Sequence, residues 1–214
     1  MAQLRHLDIP APHGRLEGLL RLPDDETPAP VMAAVVCHPH PLFGGTMHNK
    51  TVFRLALALN AVGMPALRFN FRGVGLSTGS YDEGRGELDD IRAALDELQR
   101  RFPGIPLCLA GFSFGAWTGL RVGCADERVR QLAVVGVPVS SLPVETLAGC
   151  AKPKLIVQGA LDQYGPEAHI RAWFAQIPEP KHLHIIPGAD HFLTDHLDDL
   201  QRAITGYFKL EGHA

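Results

Sequence analysis

A serine between two glycines, at the junction of an apolar segment and a helical segment, constrains the fold of this chain more than any other feature. The pentapeptide GFSFG at 111–115 follows a short apolar run at 105–110, which is typical of a buried central strand in a parallel sheet. Residues 116–122 then have helical spacing. Glycines on both sides of Ser113 permit a tight turn whose apex residue has a strained backbone. The segment therefore predicts a nucleophile elbow, with Ser113 projecting from the top of a sheet.

The rest of the chain alternates between strand and helix. A hairpin is predicted at 4–9 and 15–22, followed by a polar, proline-rich loop at 23–30. This alternation predicts a mostly parallel sheet with helices on both faces and an antiparallel edge, in one domain that comprises residues 1–214. The further strands are predicted at 31–37, 65–71, 105–110, 129–137, 154–158 and 182–186, and the helices at 51–62, 87–102, 116–122, 166–177 and 193–210.

Composition excludes several classes of function. With 46% hydrophobic and 20% charged residues, the 214-residue chain has the make-up of a soluble globular protein. A net charge of -3 gives no electrostatic reason to expect binding to nucleic acid or to an anionic membrane. No window approaches the roughly 18 apolar residues of a membrane span. Residues 1–10 lack the apolar core of a signal peptide, so we expect a cytoplasmic protein.

The four cysteines are scattered and form no C-x-x-C pair. We expect them to be reduced and mostly buried thiols, as is usual in the cytoplasm. Cys37 ends a predicted strand close to the suspected site, so a reactive thiol at that position stays open. The four are Cys37, Cys108, Cys124 and Cys150.

A serine hydroxyl needs a base beside it and a third group that orients the base. In an open parallel sheet, functional groups gather at the carboxyl ends of the strands. Asp162 follows the strand at 154–158, and His191 follows the strand at 182–186. The order serine, acid, histidine is the one found on such folds, so we predict that Ser113 is the nucleophile, His191 the base and Asp162 its orienting acid. Glu145 and Asp190 are the alternative acids.

Acyl transfer also requires donors for a developing oxyanion. One donor should be the backbone N–H of the residue after the nucleophile, Phe114. The other should come from the turn after the strand at 31–37, which has the sequence HPHP at 38–41. Because proline has no N–H, His40 is the predicted backbone donor in this turn.

These motifs together resemble a family. The segments HPHPLFGG at 38–45, RGVGLS at 72–77, GFSFG at 111–115 and GADHF at 188–192 look like those of small, lid-less bacterial serine α/β-hydrolases, which are grouped with dienelactone-hydrolase-like and carboxylesterase-like enzymes. The resemblance extends from about residue 30 to the C-terminus. It implies an eight-stranded sheet whose second strand is antiparallel, and the triad of Ser113, Asp162 and His191. Proline stands at position 39 where many members have glycine.

The family commonly inserts a cap after the sixth strand, whereas the corresponding segment here, 138–152, is short. We therefore expect an open site without a cap domain. Its apolar lining should come from Phe43, Phe112, Phe114 and Leu161.

The expected function is hydrolysis of carboxylic esters or thioesters, with a small-molecule substrate as the partner and no cofactor or metal. A peptidase or amidase with the same triad is the first alternative, and a non-catalytic binding protein on this fold is the second. Weaker alternatives are a phosphate loop at 44–51, where Asn49 replaces the required glycine, a dinucleotide-like glycine pattern at 73–79, and a metal site made by His38, His40 and His191.

Overall fold

The computed structural model describes residues 3–24 and 29–210, and an eight-stranded sheet forms its centre. The strands are β1 (Leu4–Ala11), β2 (Gly14–Arg21), β3 (Ala33–Cys37), β4 (Ala66–Phe69), β5 (Leu107–Phe112), β6 (Val129–Val135), β7 (Lys154–Gly159) and β8 (Lys181–Ile186). Their order in the sheet is β1-β2-β4-β3-β5-β6-β7-β8. Only β2 pairs antiparallel with its neighbours, β1 and β4, and the remaining pairs are parallel. The predicted eight-stranded sheet with an antiparallel second strand is confirmed.

Helices cover both faces of the sheet. They are α1 (Lys50–Ala61), α2 (Gly86–Arg101), α3 (Phe114–Ala125), α4 (Glu167–Gln176) and α5 (Leu197–Leu210). Side chains of the central strand β5 alternate between two cores, because successive residues of a strand point to opposite faces. Leu107 and Leu109 pack in the core under α2, α3 and α4, whereas Cys108 and Ala110 pack in the core under α1 and α5.

The predicted start of the last helix is wrong. The spacing predicts a helix over 193–210, but α5 begins at Leu197. Leu193 and Asp195 have φ angles of 56° and 62°, in the left-handed region that a right-handed helix excludes. The four residues before α5, 193–196, therefore form a turn, and Phe192 alone separates this turn from His191.

No cap domain interrupts the described part of the chain. Between β6 and β7 the structure has only two short 3-10 helices, Val139–Ser141 and Val144–Leu147. Two indole N–H groups form hydrogen bonds to the backbone of this connection. Trp117 donates to the carbonyl oxygen of Ser141 at 2.8 Å, and Trp173 donates to that of Leu142 at 2.9 Å. The predicted proline-rich loop at 23–30 lies partly outside the described residues.

The prediction of four reduced cysteines is wrong. Cys124, at the end of α3, forms a disulfide with Cys150, just before β7, and their Cα atoms are 5.1 Å apart. The connection between β6 and β7 packs against α3, which brings together two residues that are 26 apart in sequence. No local sequence pattern reveals this pair. Cys37 and Cys108 are free and buried. Burial raises the pKa of the Cys37 thiol far above its ordinary value, which contradicts a reactive thiol at this position.

None of the helices in residues 3–24 and 29–210 has the length and apolar character needed to cross a membrane.

Candidate active site

Ser113 lies at the sharp turn between β5 and α3, with φ 57° and ψ -115°. Two close backbone approaches explain the glycines around it. A Cβ atom on Gly111 would overlap the carbonyl oxygen of Gly115, and a Cβ atom on Gly115 would overlap the carbonyl oxygen of Cys37. The Ser113 N–H donates to the carbonyl oxygen of Val135 on β6 at 2.9 Å. The predicted strand–turn–helix geometry is therefore present, and it holds the serine at the carboxyl end of the sheet.

The structure brings Ser113, His191 and Asp162 into one hydrogen-bonded chain. The Oγ of Ser113 is 3.0 Å from Nε2 of His191. The Nδ1 of His191 is 2.8 Å from Oδ2 of Asp162. Asp162 and His191 are buried, whereas Ser113 is half-buried. This is the geometry of a nucleophile, a base and an orienting acid.

The environment of Asp162 determines which ring nitrogen of His191 carries the proton. Its Oδ1 accepts the backbone N–H groups of Tyr164 at 2.8 Å and Gly165 at 3.1 Å. Its Oδ2 accepts the side-chain amide of Gln158 at 2.8 Å. With both oxygens acting as acceptors, Nδ1 of His191 donates to Oδ2, and Nε2 is left to accept a hydrogen bond from the hydroxyl of Ser113.

The amide orientation of Gln158 is itself determined by its neighbours. Its Oε1 accepts the backbone N–H of Val137 at 2.9 Å, so the NH2 group must face Asp162 and the carbonyl oxygen of Gly165. Sequence reasoning missed Gln158. The sequence did contain one indication of its role. Gln158 lies at the carboxyl end of β7, the strand that the predicted acid Asp162 follows.

Neither alternative acid takes the place of Asp162 beside the imidazole. Asp190 accepts the backbone N–H and the hydroxyl of Thr194, at 2.9 and 3.0 Å. Glu145 lies exposed in the 3-10 helix between β6 and β7. Within the described residues, neither carboxylate forms a hydrogen bond with the ring of His191.

The N–H groups of His40 and Phe114 have no acceptor in the part of the chain that the structure describes. Phe114 is the first residue of α3, where backbone N–H groups have no partner inside the helix. The segment around His40 packs closely on the start of α3, because Gly115 approaches the carbonyl oxygens of Cys37 and His38. Close packing of these two segments is what an oxyanion site built from both would require.

His38 stabilises the loop that contains His40 through two hydrogen bonds of its ring. Its Nε2 accepts the backbone N–H of Phe71 at 3.0 Å, so its Nδ1 carries the proton and donates to the carbonyl oxygen of Pro39 at 2.6 Å. Burial lowers the pKa of His38 to about 4. Both nitrogens are engaged, which removes His38 from the metal site considered above. No group of three or more potential metal-ligating side chains occurs in residues 3–24 and 29–210.

The phosphate-loop alternative also fails on geometry. Asn49 is the N-cap of α1, and its Oδ1 accepts the N–H groups of Thr51 and Val52 at 2.9 and 3.3 Å. These are the groups that a phosphate would need. Asn49 therefore has a capping role that accounts for its place in the motif.

Ser113 opens into an uncapped pocket of about 440 Å³. Of the predicted lining residues, Phe43, Phe112 and Phe114 line it, and Leu161 does not. Leu161 is in the turn after β7, two-thirds exposed, and its N–H donates to the carbonyl oxygen of Ala189. Sequence reasoning missed several lining side chains, although Phe192 is next to His191 in the sequence. The missed residues are Tyr81, Trp117, Ser141, Tyr164 and Phe192.

Aromatic rings surround the imidazole of His191. The ring centroids of Tyr164, Phe112 and Phe192 lie 4.6, 5.1 and 5.4 Å from that of His191. Glu83, at the rim, carries the one full charge among the described residues that line this pocket, and it is paired with Arg85. The pocket is therefore suited to an uncharged, largely apolar ligand.

Comparisons with known proteins agree with this geometry. A serine hydrolase homologue from Coxiella burnetii has 38% identity, covers 95% of this chain and 96% of its own, and has a TM-score of 0.87. XC6422 from Xanthomonas campestris, described as an a/b serine hydrolase without lid, has 33% identity, coverage of 97% and 94%, and a TM-score of 0.90. The uncharacterized protein RP471 of Rickettsia prowazekii is 36% identical over 206 residues, which is 92% of this chain and 85% of that protein.

The sequence model of the alpha/beta hydrolase domain matches residues 34–201. This match extends from β3 into α5 and includes Ser113, Asp162 and His191. It agrees with the resemblance drawn from the sequence motifs. The chain belongs to the alpha/beta hydrolase domain family.

Proposed function

We propose that this protein is a serine hydrolase that cleaves small carboxylic esters or thioesters through an acyl-enzyme intermediate. The observation that carries the proposal is the hydrogen-bonded chain of Ser113, His191 and Asp162 at the base of an apolar pocket. The similarity, at more than 30% identity, to a serine hydrolase homologue and to a serine hydrolase without lid supports the same proposal.

In the proposed acylation step, Oγ of Ser113 attacks the acyl carbon while Nε2 of His191 takes the hydroxyl proton. The carbonyl oxygen becomes an oxyanion, and the N–H groups of His40 and Phe114 donate to it. The tetrahedral intermediate then collapses, and the leaving alkoxide or thiolate takes the proton from Nε2. Asp162 holds the imidazole and stabilises its charged form.

Deacylation repeats these roles with water as the nucleophile. His191 takes a proton from water, hydroxide attacks the acyl carbon, and Oγ of Ser113 leaves with the proton returned by Nε2. A pocket of about 440 Å³ without a cap accommodates a small acyl or alcohol group and exposes the acyl-enzyme to water.

Matched substrates separate the ester proposal from the peptidase alternative. We expect a phenyl ester and a phenyl thioester of butyric acid to be hydrolysed, with the corresponding anilide at least about tenfold slower in kcat/KM, because amine expulsion needs more complete proton transfer to the leaving group. Initial rates of acid release measure all three. The ester proposal is wrong if the anilide is the best substrate.

A further inference from the structure

We infer that Tyr81 is a substrate-positioning residue whose hydroxyl donates a hydrogen bond into the pocket, favouring esters that carry an acceptor oxygen away from the scissile bond. This inference rests on the proposed function. It concerns the loop between β4 and α2, which contributes Tyr81 and Glu83 to the pocket.

The orientation of the Tyr81 hydroxyl follows from two hydrogen bonds of the His40 ring. The backbone N–H of Leu42 donates to Nδ1 of His40 at 3.2 Å, so Nδ1 carries no proton. A neutral imidazole then has its proton on Nε2. Nε2 lies 3.1 Å from the hydroxyl oxygen of Tyr81, so the ring donates and the hydroxyl oxygen accepts.

The hydroxyl proton of Tyr81 consequently needs a different acceptor. Among the described residues, the hydroxyl has no hydrogen-bond partner besides His40. Because Tyr81 lines the pocket that contains Ser113, an acceptor on a bound substrate can take this place. The pocket thus presents a donor whose direction is set before the substrate arrives.

The protonation states that this requires agree with the surroundings. Burial lowers the pKa of His40, with Glu87 opposing it, which favours the neutral ring. Burial, together with the nearby carboxylates of Glu87 and Glu83, raises the pKa of Tyr81 and keeps its hydroxyl protonated.

The loop that holds Tyr81 is anchored by a buried carboxylate. Glu87, fully buried at the start of α2, accepts the backbone N–H groups of Asp82 and Gly84 at 2.9 and 2.8 Å. The Tyr81 ring also packs against two other rings of the site, with centroid distances of 5.0 Å to His40 and 6.1 Å to Phe114. Both the ring and the backbone of Tyr81 are therefore positioned by the fold.

Tyr164 provides the matched control. It lines the same pocket, but its hydroxyl has no hydrogen-bond partner within the described residues and is not oriented by a histidine. Tyr81→Phe and Tyr164→Phe each remove one hydroxyl and keep the aromatic ring. Only Tyr81→Phe removes a hydroxyl donor whose direction is set by a hydrogen bond from His40.

The test uses esters in which an ether oxygen replaces one methylene group. Ethyl 3-methoxypropanoate is compared with ethyl pentanoate for the acyl side, and 2-methoxyethyl butanoate with butyl butanoate for the alcohol side. In at least one pair, we expect Tyr81→Phe to lower kcat/KM for the ether ester about five- to tenfold more than for its methylene analogue. Tyr164→Phe should change both members of each pair equally.

The outcomes separate this inference from the proposed function. If Tyr81→Phe lowers kcat/KM equally for ether and methylene esters, Tyr81 has a structural or general role and the inference is wrong. If wild-type protein hydrolyses phenyl butyrate but none of the four esters, the inference is wrong and the proposed function stands. If it hydrolyses neither phenyl butyrate nor its thioester, the proposed function fails as well. Thermal denaturation of both variants verifies that each is folded as the wild type is.

Discussion

Replacing Asp162 with asparagine is expected to leave a folded protein and to lower kcat for esters by about 1,000- to 10,000-fold. The reason lies in the hydrogen bonds of the carboxylate. Two backbone N–H groups, from Tyr164 and Gly165, require an acceptor at one terminal atom, so the amide oxygen of the new side chain would stay there. The amide NH2 would then face His191 and donate to Nδ1. This moves the imidazole proton to Nε2, which can no longer accept the proton of Ser113.

Asp190→Asn is the matched control for Asp162→Asn. Asp190 is adjacent to His191 in sequence, but its carboxylate bonds with Thr194 and not with the imidazole. We expect this variant to keep kcat within a few-fold of wild type. Steady-state kinetics and circular dichroism of both variants provide the measurement. If Asp162→Asn barely changes kcat while Asp190→Asn lowers it strongly, Asp162 is not the orienting acid.

Gly115→Ala is the second change with a large expected effect. The added methyl group would overlap the backbone carbonyl oxygens of Cys37 and His38, which cannot move without displacing the loop that contains His40. We expect the two proposed oxyanion donors to separate, lowering kcat at least about 100-fold. Overpacking should also reduce the free energy of unfolding by about 1–3 kcal/mol.

Gly119→Ala, one turn later in α3, tests whether the effect is local. The nearest atoms to a Cβ at this position belong to Leu109, at 3.8 and 4.0 Å, which is ordinary van der Waals contact. Because alanine favours a helix over glycine, we expect unchanged activity and a gain of up to about 1 kcal/mol in the free energy of unfolding. Urea denaturation and ester kinetics compare the pair. If both substitutions lowered kcat equally, the close approach of Gly115 to the carbonyl oxygens of Cys37 and His38 would have no special role in activity.

Sequence patterns predicted the fold because the parallel strands are continuous apolar runs and the helices between them have clear periodicity. The same logic brought Ser113, Asp162 and His191 together, since each follows a strand whose carboxyl end lies at one edge of the sheet. The extent of the domain, 1–214, stays a prediction. So do the catalytic roles of these three residues.

Features that depend on long-range packing were missed or wrongly predicted. The disulfide joins a helix end to a distant loop, so the spacing of the cysteines along the chain carried no sign of it. Tyr81 lies in a glycine-rich loop without periodicity, and contacts with distant residues, namely the buried Glu87 under the loop backbone and the ring of His40, place it in the pocket. The apolar periodicity around Leu193 continues that of α5, whereas the backbone there turns through left-handed φ angles.

The most direct test of the account is intact-mass spectrometry after treatment with a fluorophosphonate, on wild-type protein and on Ser113→Ala. An activated serine attacks phosphorus and expels fluoride, which leaves a covalent phosphonyl group on Oγ. We expect one adduct on the wild type and none on Ser113→Ala, with both proteins folded by circular dichroism. Absence of an adduct on folded wild-type protein, or an equal adduct on Ser113→Ala, would contradict the claim that Ser113 is the activated nucleophile.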